Sequence, residues 1–395
     1  MKASALNGIR VIDITRYISG PYCAQLLGDL GAEVIKIEKG SGDTSRAFLP
    51  YSNEQSLYFT ALNRNKKSIK LDYRKPEGMQ ILTDLISKAD VVVENFKPGV
   101  FEAMGFSKDR LEDINPDIVV VHISGYGQTG PYKDRAAFDC VLEAMSGMMS
   151  MTGDENSKPM LMGQAYVDFI AGTFGALQAI AALYARDKVG GQDIDVSMLE
   201  CALAYSLYAP AHFINNGVVT GQFGNRDRVL SPANTFTTKD NRYIYIHAGT
   251  DHFFESLMKL IGREDQLTEG TFKFAEIRME NPDQVERIVQ EWTVTKNAYD
   301  IENQLAELGI PCAVVANMSE VVHNPQLLER NMFQTMKYPS GTRIPVVTSN
   351  LNMSKTPGRV FHRAPMLGEH SEEILSKMLG KSAEDIDMLK SNEII

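Results

Sequence analysis

The sequence predicts an α/β protein built around a mostly parallel, doubly wound sheet. Short apolar runs at residues 9–14, 34–37 and 91–94 are typical of buried strands. Segments of helical period separate these runs, and strands that alternate with helices indicate parallel pairing through crossover connections. A chain of 395 residues is also long enough to form two domains.

The amino-terminal part follows a regular alternation of strand and helix. After the strand at residues 9–14, Pro21 suits the first turn of a helix, and Gly31 suits its end. Further strands are predicted at residues 34–37, 68–71, 91–94 and 118–123, and helices at 78–88 and 110–114.

Beyond residue 139 the pattern becomes more helical and then changes again. Helices are predicted at 168–186, 198–215 and 371–379, short strands at 192–196 and 312–315, and a hairpin at 235–238 and 243–247 around Lys239-Asp240-Asn241. A polar, turn-rich linker begins at residue 223. We expect a large domain over residues 1–222, completed by 328–395, and a smaller α+β domain over 223–327.

Charge and cysteine usage limit the class of protein. A net charge of −10 argues against general binding to nucleic acid or to an anionic membrane. The four cysteines are widely spaced, which is typical of reduced thiols and indicates a cytoplasmic protein. We expect no membrane span, because no apolar run approaches about 18 residues. The seven histidines show no metal-ligand spacing, so no metal site is expected.

Two features at the predicted strand ends bear on ligand binding. Glu38 ends the second strand, where dinucleotide enzymes keep an acid for ribose, but the first turn lacks the GxGxxG glycines that pyrophosphate needs. Cations follow several strands, namely Lys39, Arg46, Arg74, Lys75 and Lys97. Each alone is typical of a solvated surface charge, but their shared placement favours a site for a phosphate-bearing ligand.

Asp168 is the only charged residue between Lys158 and Arg186, and it stands where a long apolar helix begins. A helix start stabilises an anion through free backbone N–H groups and the helix dipole. An N-cap aspartate is one interpretation. The other is a carboxylate kept ionised in apolar surroundings and able to attack an activated carbonyl.

These residues lie in segments that resemble the class III CoA-transferases, the family of formyl-CoA transferase and carnitine CoA-transferase. The resemblance covers most of the chain and rests on LNGIRVIDITRYISGPYCAQLLGDLGAEVIKIEKGSGDTSR, NRNKKSIKLD, ADVVVENFKPG, SGYGQTGP and YVDFIAG. It implies a Rossmann-like large domain, a small domain, and a homodimer of two interlocked rings.

The resemblance also implies roles for individual residues. Asp168 matches the catalytic aspartate. The implied CoA contacts are Ile18, Ser19, Lys39, Leu71, Asp72, Tyr73, Arg74, Asn95, Phe96, Lys97, Phe138 and Asp139. Two departures affect substrate identity: Ala103 stands where several members have an arginine, and HAGTDHF around Gly249 lacks a glycine run.

The implied reaction moves CoA from an acyl-CoA donor to a carboxylic acid acceptor. It passes through an aspartyl anhydride and an aspartyl-CoA thioester, and it requires no metal or redox cofactor because the two intermediates have comparable reactivity. The acids exchanged stay open, with a lean toward the oxalate-type branch.

Three other functions remain as alternatives. A 2-methylacyl-CoA racemase of the same superfamily needs a histidine where this chain has Phe138, and without it one of two acid/base groups is missing. A catalytically silent CoA-binding protein would not need Asp168. A dinucleotide-dependent dehydrogenase would need the missing glycines.

Overall fold

The computed structural model describes residues 4–268 and 270–395. Its strands are β1 (Arg10–Asp13), β2 (Glu33–Glu38), β3 (Tyr51–Ser52), β4 (Gln55–Ser56), β5 (Lys66–Lys70), β6 (Val91–Glu94), β7 (Val119–Ser124), β8 (Gln192–Ser197), β9 (Ala233–Thr237), β10 (Tyr243–His247), β11 (Cys312–Val314), β12 (Phe333–Lys337) and β13 (Arg343–Val347).

The first ten helices are α1 (Ser19–Asp29), α2 (Leu57–Leu62), α3 (Pro76–Ile86), α4 (Val100–Ala103), α5 (Lys108–Ile114), α6 (Asp139–Met145), α7 (Met148–Met151), α8 (Tyr166–Val189), α9 (Met198–Ala204) and α10 (Ala209–Asn216). The remaining helices are α11 (Asp251–Ile261), α12 (Ala275–Glu280), α13 (Pro282–Thr293), α14 (Ala298–Glu307), α15 (Met318–Val321), α16 (Pro325–Glu329), α17 (Ser371–Lys377) and α18 (Ala383–Ser391). Short 3₁₀ helices cover Thr44–Ala47 and Glu264–Leu267.

The central sheet has six strands in the order β5-β2-β1-β6-β7-β8, and every neighbouring pair is parallel. The predicted parallel α/β sheet is therefore confirmed. From β1 the chain first builds β2 and β5 on one side and then β6, β7 and β8 on the other. The strand order thus reverses between β1 and β6, and ligands of open parallel sheets bind outside the carboxyl ends of the strands at such a point.

Alternate residues of the strands form two separate cores, one on each face of the sheet. Val11 and Val34 face a cluster that includes residues of α1 and α8. Ile12 and Ile35, one position further along each strand, face a cluster formed with α3 and α17. Because side chains alternate with a period of two, both faces of each central strand are apolar, as in a sheet covered by helices on both sides.

Helix α8 is packed against α1 through small residues. A Cβ at Gly172 would lie 2.6 Å from the Ser19 backbone oxygen, and one at Gly175 would lie 3.1 Å from Cys23 Sγ. The expectation that no run approaches a membrane span was too strict, since α8 is long and apolar enough by length and composition to cross one. In this structure α8 contacts α1, β7 and β8 as a core helix does.

The chain divides into two compact units. The first comprises residues 1–148, 162–210 and 325–395 and contains the central sheet, and the second comprises 149–161 and 211–324. In the second unit β11, β10 and β9 form an antiparallel sheet whose β9–β10 pair is the predicted hairpin, turning at Asn241 with a φ of 56°. The domain limits expected from the sequence stay a prediction.

The prediction of one continuous helix over residues 198–215 is wrong. The segment forms two helices, α9 and α10, separated by residues 205–208, where Leu207 has a φ of 50°. A left-handed residue cannot continue a right-handed helix. The apolar periodicity runs across the break and therefore did not reveal it.

Candidate active site

The segment between β1 and α1 brings Ser19 to the carboxyl end of the sheet. Tyr17 adopts a left-handed conformation with a φ of 68°, so the chain turns sharply before α1 begins. The turn is tight enough that a Cβ at residue 20 would lie 2.4 Å from the Thr15 side chain, so only glycine fits there. Ile18 and Ser19 are both buried, and Ser19 is the first residue of α1.

Asp168 lies in the first turn of α8, but it is not the N-cap. The helix begins at Tyr166 after Ala165, so Asp168 is the third helical residue and the N-cap interpretation is wrong. The capping carboxylate comes from α6 instead: Asp139 Oδ1 accepts hydrogen bonds from Val167 N at 2.8 Å and from Asp168 N at 3.2 Å. The Asp168 carboxylate therefore does not cap α8.

Burial is the main influence on the charge of Asp168. It raises the pKa of Asp168, the nearby Asp139 raises it further, and hydrogen bonds from the Ser19 hydroxyl and backbone N–H oppose both, leaving the pKa at about 6. Since Ser19 stands at the start of α1, the carboxylate meets the positive ends of two helices. Asp168 is therefore mostly ionised at neutral pH, although little water surrounds it.

Two aromatic residues near Asp168 were not predicted from the sequence. Burial raises the pKa of Tyr58 to about 12, and the charge of Asp168 contributes to the rise. Phe48 packs edge-on against Tyr58, with ring centroids 5.2 Å apart. Neither residue stands in a motif that would have marked it: Phe48 follows the 3₁₀ helix at Thr44–Ala47, and Tyr58 lies in α2.

Glu143 was also missed. It is fully buried, its Oε2 accepts a hydrogen bond from Met162 N at 3.0 Å, and its Oε1 has no hydrogen-bond partner among the described residues. Burial and the neighbouring carboxyl of Asp139 raise the pKa of Glu143. Residues 139 and 143 are four apart on α6, so helical spacing could have indicated that the two carboxyls lie on one face.

The residues expected to bind CoA after β2 and β5 lie together. Lys39 Nζ sits 5.5 Å from the centre of the Tyr73 ring, and Arg74 forms an ion pair with Asp72 at 3.0 Å. Partial burial and the positive charge of Arg74 lower the pKa of Lys39. Leu71 is fully buried and its backbone N–H donates to Glu38 O at 2.7 Å.

The residues after β6 are tied to the first turn of the chain. Asn95 accepts a hydrogen bond from Arg16 N at 3.0 Å and donates one to Arg16 O at 2.8 Å. Phe96 N donates to Glu94 Oε2 at 2.7 Å. Lys97 is exposed and lines a cavity of about 180 Å³ that also includes His122. The structure thus joins Asn95 to the β1–α1 segment, and Lys97 lies beside a recess that His122 also lines.

Phe138 is largely exposed, and its ring meets the Tyr17 ring edge-on at a centroid distance of 5.8 Å. It directly precedes Asp139, the residue that caps α8. The side chain at position 138 therefore contributes an apolar wall beside the turn that holds Ser19.

Glu38 is not available to a ribose. Arg46 binds both its carboxylate oxygens, at 2.7 and 2.6 Å, and Ser68 Oγ donates to it at 2.7 Å. Arg46, expected as a candidate phosphate contact, is therefore committed to Glu38. Within residues 4–268 and 270–395, no group of three His, Cys, Asp or Glu side chains is placed to hold a metal ion.

One cavity among the described residues lies away from this site. A cavity of about 770 Å³ lies at the amino ends of β1, β2 and β5, where Arg10, Glu33 and Lys67 line it. These cations pair with acids already present, Arg10 with Glu33 at 2.9 Å and Lys67 with Glu33 at 2.9 Å. The candidate catalytic residue lies instead at the opposite, carboxyl ends of the strands. There the poorly solvated carboxylate of Asp168 is close to the amino-terminal ends of α1 and α8.

Comparison with known proteins agrees with this arrangement. Residues 6–371 match the family model of CoA-transferase family III. The chain is 33% identical to succinyl-CoA–D-citramalate CoA-transferase of Chloroflexus aurantiacus, over 99% of this chain and 98% of that protein. It is 35% identical to formyl-CoA:oxalate CoA-transferase of Streptomyces avermitilis, over 99% of each.

A solved structure has the same fold. The crystal structure of a CAIB/BAIF family protein from Brucella suis superimposes with a TM-score of 0.86 at 30% identity, covering 95% of this chain and 100% of that one. Family, relatives and fold agree over nearly the whole length. The chain therefore belongs to CoA-transferase family III and is a transferase enzyme of that class.

Proposed function

We propose that the enzyme transfers CoA from an acyl-CoA donor to a carboxylic acid through covalent intermediates on Asp168. The observation that carries the proposal is the state of this carboxylate. It is poorly solvated, its pKa lies at about 6, and the Ser19 hydroxyl and N–H at the start of α1 favour its charged form. Such a carboxylate is charged at neutral pH, yet it needs little desolvation before it attacks a carbonyl.

The first half of the reaction forms two intermediates in turn. Asp168 attacks the thioester carbonyl, the C–S bond breaks, and a mixed anhydride and CoA thiolate result. The thiolate then attacks the Asp168 carbonyl of the anhydride. The donor acid leaves as a carboxylate, and an aspartyl-CoA thioester remains on the enzyme.

The second half reverses these steps with a different acid. The acceptor carboxylate attacks the aspartyl thioester and releases thiolate, which then attacks the acceptor carbonyl of the new anhydride. Acceptor-CoA forms and Asp168 is regenerated as a carboxylate. The leaving groups are carboxylates and a thiolate, so the steps proceed without net proton transfer, and the enzyme must chiefly keep water from the intermediates.

The CoA moiety is proposed to run along the carboxyl ends of the strands. Lys39 and Arg74 repel each other electrostatically, so a phosphate group could relieve both charges, and the ring of Tyr73 lies 5.5 Å from Lys39 Nζ. Arginine and lysine side chains are the usual partners of phosphate oxygens. The other proposed contacts are Ile18, Ser19, Leu71, Asp72, Asn95, Phe96, Lys97, Phe138 and Asp139.

The names of the relatives narrow the range of acids that we propose as substrates. One is named for succinyl-CoA and D-citramalate and another for formyl-CoA and oxalate. We therefore propose a short acyl-CoA as the donor and a small dicarboxylic or hydroxy-dicarboxylic acid as the acceptor. An array of acyl-CoA donors against such acids, read by mass spectrometry, tests this assignment; exchange with carnitine-like acceptors alone would contradict it.

A racemase would need a base at position 138. Phe138 offers no titratable atom, and its ring packs against Tyr17. Deuterium uptake at the α-carbon of an acyl-CoA in D₂O, without any acceptor acid, would favour the racemase instead.

We further propose a cytoplasmic homodimer of interlocked chains in which the large unit binds CoA. Several large apolar side chains on and after α8 are at least half exposed, namely Leu177, Tyr184, Leu203, Tyr205 and Leu207. Apolar patches of this kind are typical of permanent interfaces between identical chains. Light scattering that gives the mass of one chain at micromolar concentration would contradict the dimer.

The covalent step is tested by trapping. The enzyme is incubated with acyl-CoA and hydroxylamine, and the peptides are mapped by mass spectrometry. We expect a hydroxamate on Asp168, loss of transferase activity in Asp168→Ala, and unchanged activity in Asp187→Ala, which alters an exposed aspartate of the same helix. Full activity of Asp168→Ala would contradict the proposed mechanism.

A further inference from the structure

Four charged side chains are completely buried behind the candidate site. They are Asp13 on β1, Lys36 on β2, Asp43 after β2 and Lys66 on β5, and all have a side-chain exposure of 0%. We call them the buried ion cluster. Lys36 Nζ lies 3.0 Å from Asp43 Oδ2, and Lys66 Nζ lies 2.8 Å from Asp13 Oδ2.

The cluster is electrically balanced. Burial would raise the pKa of Asp13, but Lys36 and Lys66 together lower it to about 2. Burial lowers the pKa of Lys66 to about 8 despite the charge of Asp13. Burial also opposes the charges of Lys36 and Asp43, but their charged neighbours outweigh it, raising the pKa of Lys36 and lowering that of Asp43. All four groups are thus charged at pH 7, two of each sign.

Stability alone is a poor explanation for such a cluster. Removing two lysines and two aspartates from water costs several kcal/mol per ion, and apolar side chains of similar volume often serve the fold as well or better. The contacts beyond the cluster show what the charges hold in place.

Those contacts converge on the segment from Thr15 to Pro21. Lys36 Nζ donates to Thr15 O at 2.8 Å, and Lys66 Nζ donates to Pro21 O at 2.8 Å. Asp13 Oδ1 accepts from Thr15 N at 2.9 Å and from Thr15 Oγ1 at 2.5 Å. The two lysines therefore hold the two ends of a seven-residue segment.

The middle of the segment is held as well. Asp43 Oδ1 lies 3.4 Å from Tyr17 N, at the residue with a left-handed φ of 68°. A non-glycine residue in that conformation is strained and persists only where its surroundings fix it. Two positions further on stands Ser19, whose backbone oxygen packs against α8 at Gly172, one turn after Asp168. The Ser19 hydroxyl and N–H favour the charged form of the Asp168 carboxylate.

We infer that the buried ion cluster is a positioning device that fixes Ser19 against the Asp168 carboxylate. The inference rests on the proposed function of Asp168 as the nucleophile. Lys36, Lys66, Asp13 and Asp43 do not touch the reacting atoms; they act through the segment that they hold. Displacement of that segment by about 1 Å is enough to lower a rate about 100-fold.

The test compares two charge-neutral double variants. Lys36→Met/Asp43→Asn removes one ion pair of the cluster and frees Thr15 O, while the amide oxygen at position 43 can still accept from Tyr17 N. Arg64→Met/Asp29→Asn removes a buried ion pair of the same unit, at 2.6 Å, from the opposite end of α1. Thermal unfolding shows that each variant folds.

Two readouts separate positioning from general damage. The first is kcat for CoA exchange, which we expect to fall about 10- to 100-fold in the Lys36/Asp43 variant and to change less than about twofold in the Arg64/Asp29 variant. The second is the pH dependence of Asp168 labelling by a water-soluble carbodiimide and an amine, without acyl-CoA. Because Ser19 lowers the pKa of Asp168, loss of its hydrogen bonds should move the labelling midpoint upward from about 6.

A milder variant keeps the test decisive if the double variant does not fold. Thr15→Val preserves the shape, all four charges and the bond from Thr15 N, but removes the bond from the Thr15 hydroxyl to Asp13 Oδ1. We expect kcat to fall about threefold and the midpoint to rise. Wild-type kcat and midpoint in the folded variants would overturn the inference. Absence of CoA exchange in the wild-type enzyme would instead reject the proposed function, and the labelling comparison would still test the positioning.

Discussion

Asp139 caps the helix that carries Asp168, with one carboxylate oxygen accepting hydrogen bonds from both Val167 N and Asp168 N. The same carboxylate raises the pKa of Asp168, after the larger effect of burial. Asp139 therefore has two opposed effects on its neighbour: it fixes the backbone of the nucleophile and disfavours its charge. These two effects can be separated by substitution.

Asp139→Asn should keep the cap and remove the charge. The amide oxygen can still accept from both N–H groups, whereas the pKa of Asp168 should fall below about 6. We expect kcat/KM at pH 5, relative to that at pH 7.5, to rise about twofold. Asp139→Ala should instead lose about 0.5–2 kcal/mol of folding stability along with the cap. Identical pH profiles in the wild type and Asp139→Asn would contradict the charge effect.

Asp168→Asn should abolish transfer and stabilise the protein at neutral pH. The pKa of Asp168 is raised from 3.8 to about 6 in the folded chain, so its protonated form favours the fold, and that stabilisation is lost as the pH rises through about 6. The neutral amide should therefore add about 2 to 3 kcal/mol at pH 7 and little below pH 4. Urea unfolding at both pH values measures this, with Asp187→Asn as the control. An Asp168→Asn variant less stable than wild type at pH 7 would contradict the inference that the buried charge of Asp168 destabilises the folded protein.

The parallel sheet was predictable because its strands are short apolar runs covered on both faces, as Val11 and Ile12 illustrate. The grouping of Ser19 and Lys39 near the sheet's carboxyl edge followed from the same topology. The cap on α8 was not predictable, because Asp139 is 29 positions from Asp168 and only the tertiary fold brings them together. The break between α9 and α10 was missed for a related reason, since the apolar period continues across it.

The charged residues of the buried ion cluster were not predicted from the sequence. Lys36 lies in the middle of an apolar strand, and Lys66 stands between the basic residues Arg64 and Lys67, so each resembles a surface charge in the sequence. Their shared partners come from β1 and from the loop after β2. A pairing between side chains of different strands leaves no periodic signal in a single sequence.

Gly172→Ala should disturb the site more than Gly175→Ala. A Cβ at residue 172 would lie 2.6 Å from the Ser19 backbone oxygen, whereas one at residue 175 would meet Cys23 Sγ at 3.1 Å. The first contact forces backbone apart and moves Ser19 from Asp168; the second needs a side-chain shift of a few tenths of an ångström. We expect about a tenfold loss of kcat in Gly172→Ala and less than about threefold in Gly175→Ala. Equal losses would indicate that the spacing of α1 and α8 does not set the site.

The last prediction concerns His122 on β7. Its Nδ1 lies 2.7 Å from Glu94 Oε1 and its Nε2 lies 3.5 Å from Asp193 Oδ1. Burial alone would lower the pKa of His122, but Asp193 and Glu94 outweigh it and raise the pKa to about 9. The imidazolium stabilises the fold fully below pH 6.5, and this contribution, about 2 to 3 kcal/mol, should be lost as the pH rises through about 9.

The His122→Asn variant should lack that pH dependence. Its free energy of unfolding should be lower at pH 7 and nearly flat from pH 7 to 9.5, while His252→Gln, at an exposed histidine, should follow the wild type. Glu94 also accepts a hydrogen bond from Phe96 N, so release of Glu94 should loosen the loop proposed to bind CoA. We therefore expect the KM for acyl-CoA to rise about threefold or more at pH 7.5, with a smaller change in kcat. A wild-type unfolding free energy that stays constant between pH 7 and 9.5 would show that His122 is neutral in the folded protein, and Glu94 would then hold the loop without its help.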